Sequence, residues 1–289
     1  MTLTDTAPAK INLCLFLGPL READGRHELV SVMQSVTLAD ELVLEGAPTA
    51  AADEVVCPGV NGRNLAADAL AMFRAATGWV GPPVRLTIAK RIPVAAGMGG
   101  GSADAAAALR LAARAAGVDD DALLHRLAAR LGADVPAQVR PGRALATGAG
   151  EEVCPLARSA PLGVLVLTSD RPLSTAEVYR EADRLGLPRD AADLAALRAD
   201  VEAALANDGD LPDALLVNDL EPAARSLAPG IGAALDEARE AGADAVMVSG
   251  SGPTVLGLFH GADGPQRARE AARALATRTP AAVACEALA

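Results

Sequence analysis

The positions 97–102 hold four glycines and a serine, Gly97, Gly99, Gly100, Gly101 and Ser102, ahead of an alanine-rich run. Without Cβ atoms, a backbone can approach a ligand closely and present its N–H groups. When such a loop leads into a helix, the helix adds unpaired donors and the positive end of its dipole, and the whole becomes a cradle for phosphate. A flexible linker is the competing reading, but a linker would be polar and would not stand between a strand and a strong helix former. The loop lacks the Gly-x-x-x-x-Gly-Lys-Ser/Thr pattern of a P-loop. It also lacks the acidic residue about 20 positions on, at the end of a second parallel strand, that a dinucleotide fingerprint needs. The fuller form, Pro93 with Val94, Ala95, Ala96, Gly97, Met98, Gly99, Gly100, Gly101, Ser102 and Ala103, is far more specific than three glycines alone.

Two charged residues stand out by their surroundings. Lys10 interrupts an apolar stretch, and Asp134 lies in Gly132-Ala133-Asp134-Val135-Pro136. A carboxylate can align an alcohol and accept its proton, and an ammonium can keep that carboxylate ionised or offset charge on a phosphoryl group. Taken singly, Asp134 also reads as a helix-end or turn residue and Lys10 as a lysine on a solvated strand face. A second glycine turn, Gly250-Ser251-Gly252, reads as a hairpin connection between two strands.

The elements that must position these residues follow from hydrophobic period. Alternation predicts a strand at 11–17, with Asn12 on the face opposite Ile11 and Leu13, and another strand at 36–44. Residues 49–62 read as an exposed loop. Asn64 is a good N-cap for a helix through Ala76, and 84–89 reads as a strand. Helices are expected from the glycine loop to Gly117 and over 120–131, and a hairpin over 139–153. Beyond a boundary at 155–161, a buried strand is expected at 162–167 and helices at 175–185, 191–206, 214–220, 231–241 and 266–278. Strands at 245–248 and 255–259 flank the second glycine turn. Interleaved strands and helices with hairpin signals make the fold class α+β.

Composition sets the outer limits. The chain has 289 residues, a size at which one large or two modest domains form. Half of it is apolar, with one Trp, one Tyr and three Phe, so the core is built of Ala, Leu and Val. A net charge of −11 argues against a nucleic-acid partner, since it repels a phosphate backbone. Four dispersed cysteines without a CxxC pair are expected to be reduced thiols, and three scattered histidines do not suggest a metal cluster. The apolar stretch 245–259 is broken by Ser-Gly-Ser-Gly-Pro, and the start of the chain is a poor signal peptide. The expectation is a cytoplasmic protein with no membrane association; the sequence does not set its oligomeric state.

Together, Pro8-Ala9-Lys10-Ile11-Asn12-Leu13, Asp24-Gly25-Arg26-His27, the glycine loop, Gly132-Ala133-Asp134-Val135-Pro136, Asn218-Asp219-Leu220-Glu221 and Val248-Ser249-Gly250-Ser251-Gly252-Pro253-Thr254 run in an order that resembles the GHMP kinase superfamily. The likeness covers nearly the whole chain. It implies a two-lobed GHMP kinase fold: an N-terminal lobe like domain 2 of ribosomal protein S5 over 1–157, carrying nucleotide and catalytic residues, and a ferredoxin-like C-terminal lobe over 158–289. It implies a kinase that uses ATP and Mg²⁺ to phosphorylate a small alcohol. The opening motif and Gly-Ala-Asp-Val-Pro favour the branch that phosphorylates a CDP-linked alcohol in non-mevalonate isoprenoid synthesis. Other possibilities are a homoserine or sugar kinase, or a non-catalytic nucleotide sensor on the same fold.

By the resemblance, Asp134 is the base and Lys10 its cationic partner. The 93–103 loop, Asn64 and Lys90 line the ATP site, with Ser102 the protein contact to magnesium. On residues alone, Asn64 could be only a cap and Lys90 only a surface charge. Asn12, Arg26, His27, Thr175 and Tyr179 are expected on the substrate side, His27 reading the cytosine. His27 could equally be a polar loop residue and Tyr179 a core aromatic. Arg26 stands where the family usually has Tyr; its planar guanidinium could stack on a base in that ring's place. Gly250, Ser251 and Gly252 are expected to support the cradle.

Overall fold

The computed structural model describes residues 2–47, 49–60, 62–94, 96–158, 160–206 and 209–288. The chain divides into two compact units that are discontinuous in sequence. One comprises Met1–Ala9, Leu38–Pro93 and Gly99–Pro141; the other comprises Lys10–Thr37, Val94–Met98 and Gly142–Ala289. The expected lobes were contiguous and parted at 157/158. The units interleave because the first two strands are long: β1 (Thr2–Leu20) and β2 (His27–Gly46) each give residues to both.

In the first unit, the later half of β2 pairs antiparallel with β4 (Val84–Ala89), Glu41 facing Ala89 and Gly46 facing Val84. The loop expected over 49–62 contains a short strand, β3 (Glu54–Val56), which runs parallel to β4. Against these strands pack α1 (Leu65–Thr77), α2 (Gly100–Ala116), α3 (Asp121–Leu131) and α4 (Val135–Val139). Asn64 does cap α1, its Oδ1 accepting from the Ala66 N–H at 2.9 Å. Ala103 and Ala105 to Ala108 are buried together with Leu109, Leu111 and Ala112, so α2 is apolar nearly all round and lies inside the unit. Alanine makes that possible by letting neighbouring backbones approach. Phe73 and Leu70 of α1 supply the bulk.

The second unit holds the earlier half of β2 paired with β5 (Arg143–Thr147), and β5 with β6 (Glu152–Pro155). It also holds a four-stranded antiparallel sheet in the order β10-β7-β9-β8. These strands are β7 (Leu162–Leu167), β8 (Ala245–Val248), β9 (Val255–His260) and β10 (Val283–Glu286). The core beside this sheet draws on α5 (Thr175–Leu185), α7 (Glu221–Leu227), α8 (Gly230–Glu240) and α9 (Gly264–Ala274), while α6 (Ala191–Leu205) contributes the buried Leu194 and Val201.

The helix expected at 214–220 does not form. Asp213–Leu215 is one 3₁₀ turn, after which the backbone pairs with β1: Leu15 N–H donates to Val217 O at 2.8 Å, and Asp219 N–H to Leu15 O at 2.9 Å. The helix starts only at Glu221, with Pro222 in its first turn, where a missing N–H costs nothing. The last helix likewise stops at Ala274, and β10 closes the sheet edge on β7.

The junction of β7 and α9 is closer than any side chain would allow. A Cβ on Gly163 would lie 2.1 Å from Gly264 O, a backbone atom that cannot swing away. Gly163→Ala is therefore expected to destabilise the protein by about 3 kcal/mol or more, at the upper end of overpacking costs. Urea unfolding with an unchanged midpoint would refute this.

Candidate active site

The first unit presents the helical half of the cradle. Gly99 adopts φ +68°, open to glycine at little cost, and heads α2 with no side chain capping the first turn. The first N–H groups of α2 are thus left to meet a ligand or water. Gly101 is exposed, with only Leu65 Cδ1, at 4.0 Å, near the place of its absent Cβ. Ser102 is half-buried in that turn. Asn64, at the head of α1, adjoins this Leu65.

Lys90 is not a surface charge. Its side chain is 14% exposed and its ammonium donates to Asp40 and to Asp104, the latter at 2.7 Å. Burial is the largest influence on Asp104 and pushes its carboxyl up to about 6, against the pull of Lys90. Asp134 occupies the N-cap position of α4 but does not cap it with its side chain; it is half-buried.

The second unit holds the preceding turn of the loop. Gly97 has φ +68°, and a Cβ there would meet Ser249 O at 2.4 Å and Gly252 O at 3.0 Å. Ser249 Oγ donates to Gly97 O at 3.2 Å, and Lys10 N–H donates to Met98 O at 3.0 Å. Ala95 lies outside the described residues; Pro93 is half-buried, Val94 exposed and Ala96 buried. The second glycine turn is indeed the β8–β9 connection, and it also packs on Lys10 and Asn12. A Cβ on Gly250 would stand 3.5 Å from both Lys10 Nζ and Asn12 Oδ1. Asn218 Nδ2 fixes this turn through Val248 O at 2.8 Å and Gly250 O at 2.7 Å.

Lys10 is 5% exposed, buried rather than on a solvated face. Its ammonium donates to Asn12 Oδ1 at 2.7 Å. Asn12 Nδ2 donates to Ser31 Oγ at 2.7 Å, and Ser31 Oγ to Cys14 O at 2.6 Å. The chain is directional: each donor is spent on the next acceptor, which orients the ammonium.

Thr175, Tyr179 and Asp183 recur every fourth residue and share one face of α5. Thr175 Oγ1 lies 3.0 Å from Ser251 Oγ, and the Tyr179 ring lies 5.7 Å from that of His27. His27 is buried; its Nδ1 lies 2.8 Å from Gly18 O, and its Nε2 lies 3.0 Å from Asp183 Oδ1. A carbonyl only accepts, so Nδ1 carries a proton. Arg26 is turned elsewhere: its guanidinium donates to Ala149 O at 2.8 Å and Glu151 Oε2 at 3.3 Å, on the 148–151 turn.

The structure thus gathers Lys10, Asn12, Gly97, Met98 and the second glycine turn in one unit, along with His27, Thr175 and Tyr179. It gathers Asn64, Lys90 and Gly99 to Ala103 in the other, which also contains Asp134. Sequence reasoning missed Ser31, Asp40, Asp104, Asp183, Asn218 and Ser249. Of these, Asn218 and Ser249 sit inside the quoted motifs and Asp104 directly follows the glycine loop, so position could have singled them out; Ser31, Asp40 and Asp183 become visible only through long-range contacts.

Comparison with known proteins fits this arrangement. The model described as GHMP kinases N terminal domain matches residues 64–142, and that described as GHMP kinases C terminal matches 200–280. The 4-diphosphocytidyl-2-C-methyl-D-erythritol kinase of an Arthrobacter species is 42% identical over 278 residues, covering 90% of this chain and 85% of that protein. The chain belongs to this kinase family, a branch of the GHMP kinases. A solved structure of 4-(cytidine 5'-diphospho)-2C-methyl-D-erythritol kinase matches at TM-score 0.78 and 34% identity, covering 99% of this chain and 100% of the other. The homoserine kinase of Cytophaga hutchinsonii shares the fold alone, with TM-score 0.74 at 17% identity over 99% of this chain and 94% of the other. The GHMP kinase fold, α+β in both units, and the enzyme class, an ATP-dependent phosphotransferase acting on a small alcohol, therefore stand. No described helix is long and apolar enough to cross a membrane.

Gly97→Ala should force the loop off Ser249 and Gly252. A displacement near 1 Å at a positioning element costs about 100-fold in kcat/KM. Steady-state kinetics in which the variant kept wild-type kcat/KM for ATP would break the link between this contact and the cradle.

Proposed function

We propose that this chain transfers the γ-phosphate of ATP to the 2-hydroxyl of 4-diphosphocytidyl-2-C-methyl-D-erythritol, a step of non-mevalonate isoprenoid synthesis. The full-length relation to kinases of that name carries the reading. The cluster of His27, Tyr179 and Asp183 supports it, because a buried imidazole fixed through Nδ1 to Gly18 O, beside a carboxylate and an aromatic ring, suits recognition of a planar base.

In this reading the N–H groups of Gly97 to Ser102, with Pro93 to Ala96 and Ala103 flanking them, bind the ATP phosphates. Asn64 and the 90–92 segment border its base. Asp134 aligns the acceptor hydroxyl and takes its proton as the new P–O bond forms and the bond from the γ-phosphorus to the leaving ADP oxygen breaks. Lys10, oriented by Asn12, offsets charge on the transferring phosphoryl group. Asn12 and Thr175 face the substrate, Gly250, Ser251 and Gly252 support the loop, and Arg26 lies at the edge of the base site. No group of three or more His, Cys, Asp or Glu residues among the described ones could hold a metal ion, so Mg²⁺ fits here only as a partner of the nucleotide, with Ser102 its protein contact. When bound, it neutralises phosphate charge. The net charge of −11 suits a cytoplasmic enzyme with no nucleic-acid or membrane partner.

Incubating the protein with ATP and Mg²⁺ and each of the CDP-linked alcohol, homoserine and a hexose, with products identified by phosphorus NMR, tests this. Phosphorylation of the CDP-linked alcohol is expected; preference for homoserine or the hexose overturns the assignment. Asp134→Asn should lower kcat about a thousandfold while ATP still binds. His27→Ala should lower kcat/KM for the CDP-linked alcohol about 100-fold with KM for ATP little changed.

A further inference from the structure

Asp40 is fully buried, and one carboxylate serves three donors. Its Oδ1 accepts from the N–H groups of Arg91 at 2.5 Å and Ile92 at 2.8 Å, and its Oδ2 accepts from Lys90. These bonds fix the backbone as it leaves β4, just before the glycine loop. The same Lys90 ammonium reaches Asp104 on α2, just after the loop, at 2.7 Å. Gly100 is packed directly on this structure: a Cβ there would lie 3.2 Å from Ile92 Cγ2 and 3.3 Å from Lys90 Nζ. The strand exit and the helix start are thus tied to one another through a single buried lysine.

We infer that Asp40, Lys90 and Asp104 form a brace that fixes the two ends of the glycine loop and thereby sets the affinity for ATP. Asp40 and Asp104 are positioning residues, and Lys90 acts through them. The inference rests on the reading of the loop as the ATP phosphate cradle. Its logic is geometric. Two carboxylates on one ammonium leave an excess negative charge near a site for phosphates, an arrangement that opposes nucleotide binding electrostatically. Its benefit lies in the bonds: four N–H···O contacts hold residues 90–92 and 104 in fixed relation, so the loop loses less entropy on meeting its ligand.

The charge count gives the brace a signature. Asp40 and Asp104 are both buried and share the one Lys90 ammonium, so Asp104→Asn removes a buried charge and leaves Lys90 matched by Asp40. Asp104→Asn should then leave thermal stability at pH 8 unchanged or higher while binding ATP more weakly. A residue that merely held the fold together would lower both.

The test measures KM for ATP, KM for the acceptor and melting temperature for the wild type, Asp104→Asn, Asp40→Asn and Lys90→Arg, with ATP binding followed separately by calorimetry. KM for ATP should rise about tenfold in each variant, the effect of one charge-assisted bond, and more than KM for the acceptor. Lys90→Arg keeps the charge but not the geometry, and so reports on the brace even if an Asn variant fails to fold. ATP affinity within about twofold of wild type in the variants that fold overturns the brace. A wild type that binds no ATP instead overturns the reading of the loop.

Discussion

The approach of Gly97 to Ser249 and Gly252 is the constraint on which the second unit's part of the site depends. A separation of 2.4 Å between a would-be Cβ and a carbonyl oxygen leaves room for hydrogen only. The closeness has a chemical consequence. Phosphate oxygens are attracted by N–H groups and repelled by carbonyls, so a cradle works only if its carbonyls are turned away and engaged. Here Gly97 O is engaged by Ser249 Oγ and Met98 O by Lys10 N–H. The strand that carries the ammonium thus also occupies a carbonyl of the loop. The position of Lys10 and the conformation of residue 98 are set by the same bond, and neither could drift without the other.

An acidic protein that binds anions must do so with local donors. In the proposed reading those are, in the first unit, backbone groups at the start of α2, whose partial charge is about half an elementary charge and acts over roughly one turn. The depth at which α2 is buried fixes where those donors lie, and its run of alanines sets that depth. Larger side chains would hold the helix away from α1 and move its first turn outward. The alanine content that looks like a compositional bias in the sequence therefore has a direct bearing on the site. Lys90 contributes no free positive charge there, because Asp40 and Asp104 together more than offset it. Its value is mechanical, and a reader of the sequence who sees a lysine before a phosphate loop would assign it the opposite role.

What could be read in advance was what local chemistry determines. Asn64 caps α1, Gly117 ends α2 and 162–167 is a strand because each depends on near neighbours in the chain. Failures occurred where distant segments decide. A helix was expected to run from 214 through 217–219, but the backbone groups of Val217 and Asp219 are taken by Leu15, some 200 positions earlier. β3 and β10 are too short to show a period and exist because β4 and β7 offer edges to them. The same limit applied to the site. The glycine loop, Lys10, His27 and Asp134 stand in motifs, whereas Asp40 and Asp183 act across gaps of 50 and 156 residues and carry no local mark. Contiguous lobes were expected for the same reason: nothing in the sequence indicates that β1 and β2 run through both units.

Arg26 illustrates how a substitution at a recognition site is resolved physically. Its guanidinium could have stacked on a base, but a stacking cation must give up stronger bonds to do so. Here it already donates to Ala149 O and Glu151, with Asp24 close by. A cation–π contact at an exposed site offers about 0.5–1 kcal/mol, less than a charge-assisted hydrogen bond. The side chain therefore stays on the 148–151 turn, and the ring face beside His27 is provided by Tyr179. Because Tyr179 shares a helical face with Thr175 and Asp183, its placement is coupled to the second glycine turn through Ser251 and to the imidazole through the carboxylate. A single helix thus registers the residues proposed to recognise the base against the 250–252 turn. The registry follows from the four-residue spacing along α5, which no loop of the same length could hold.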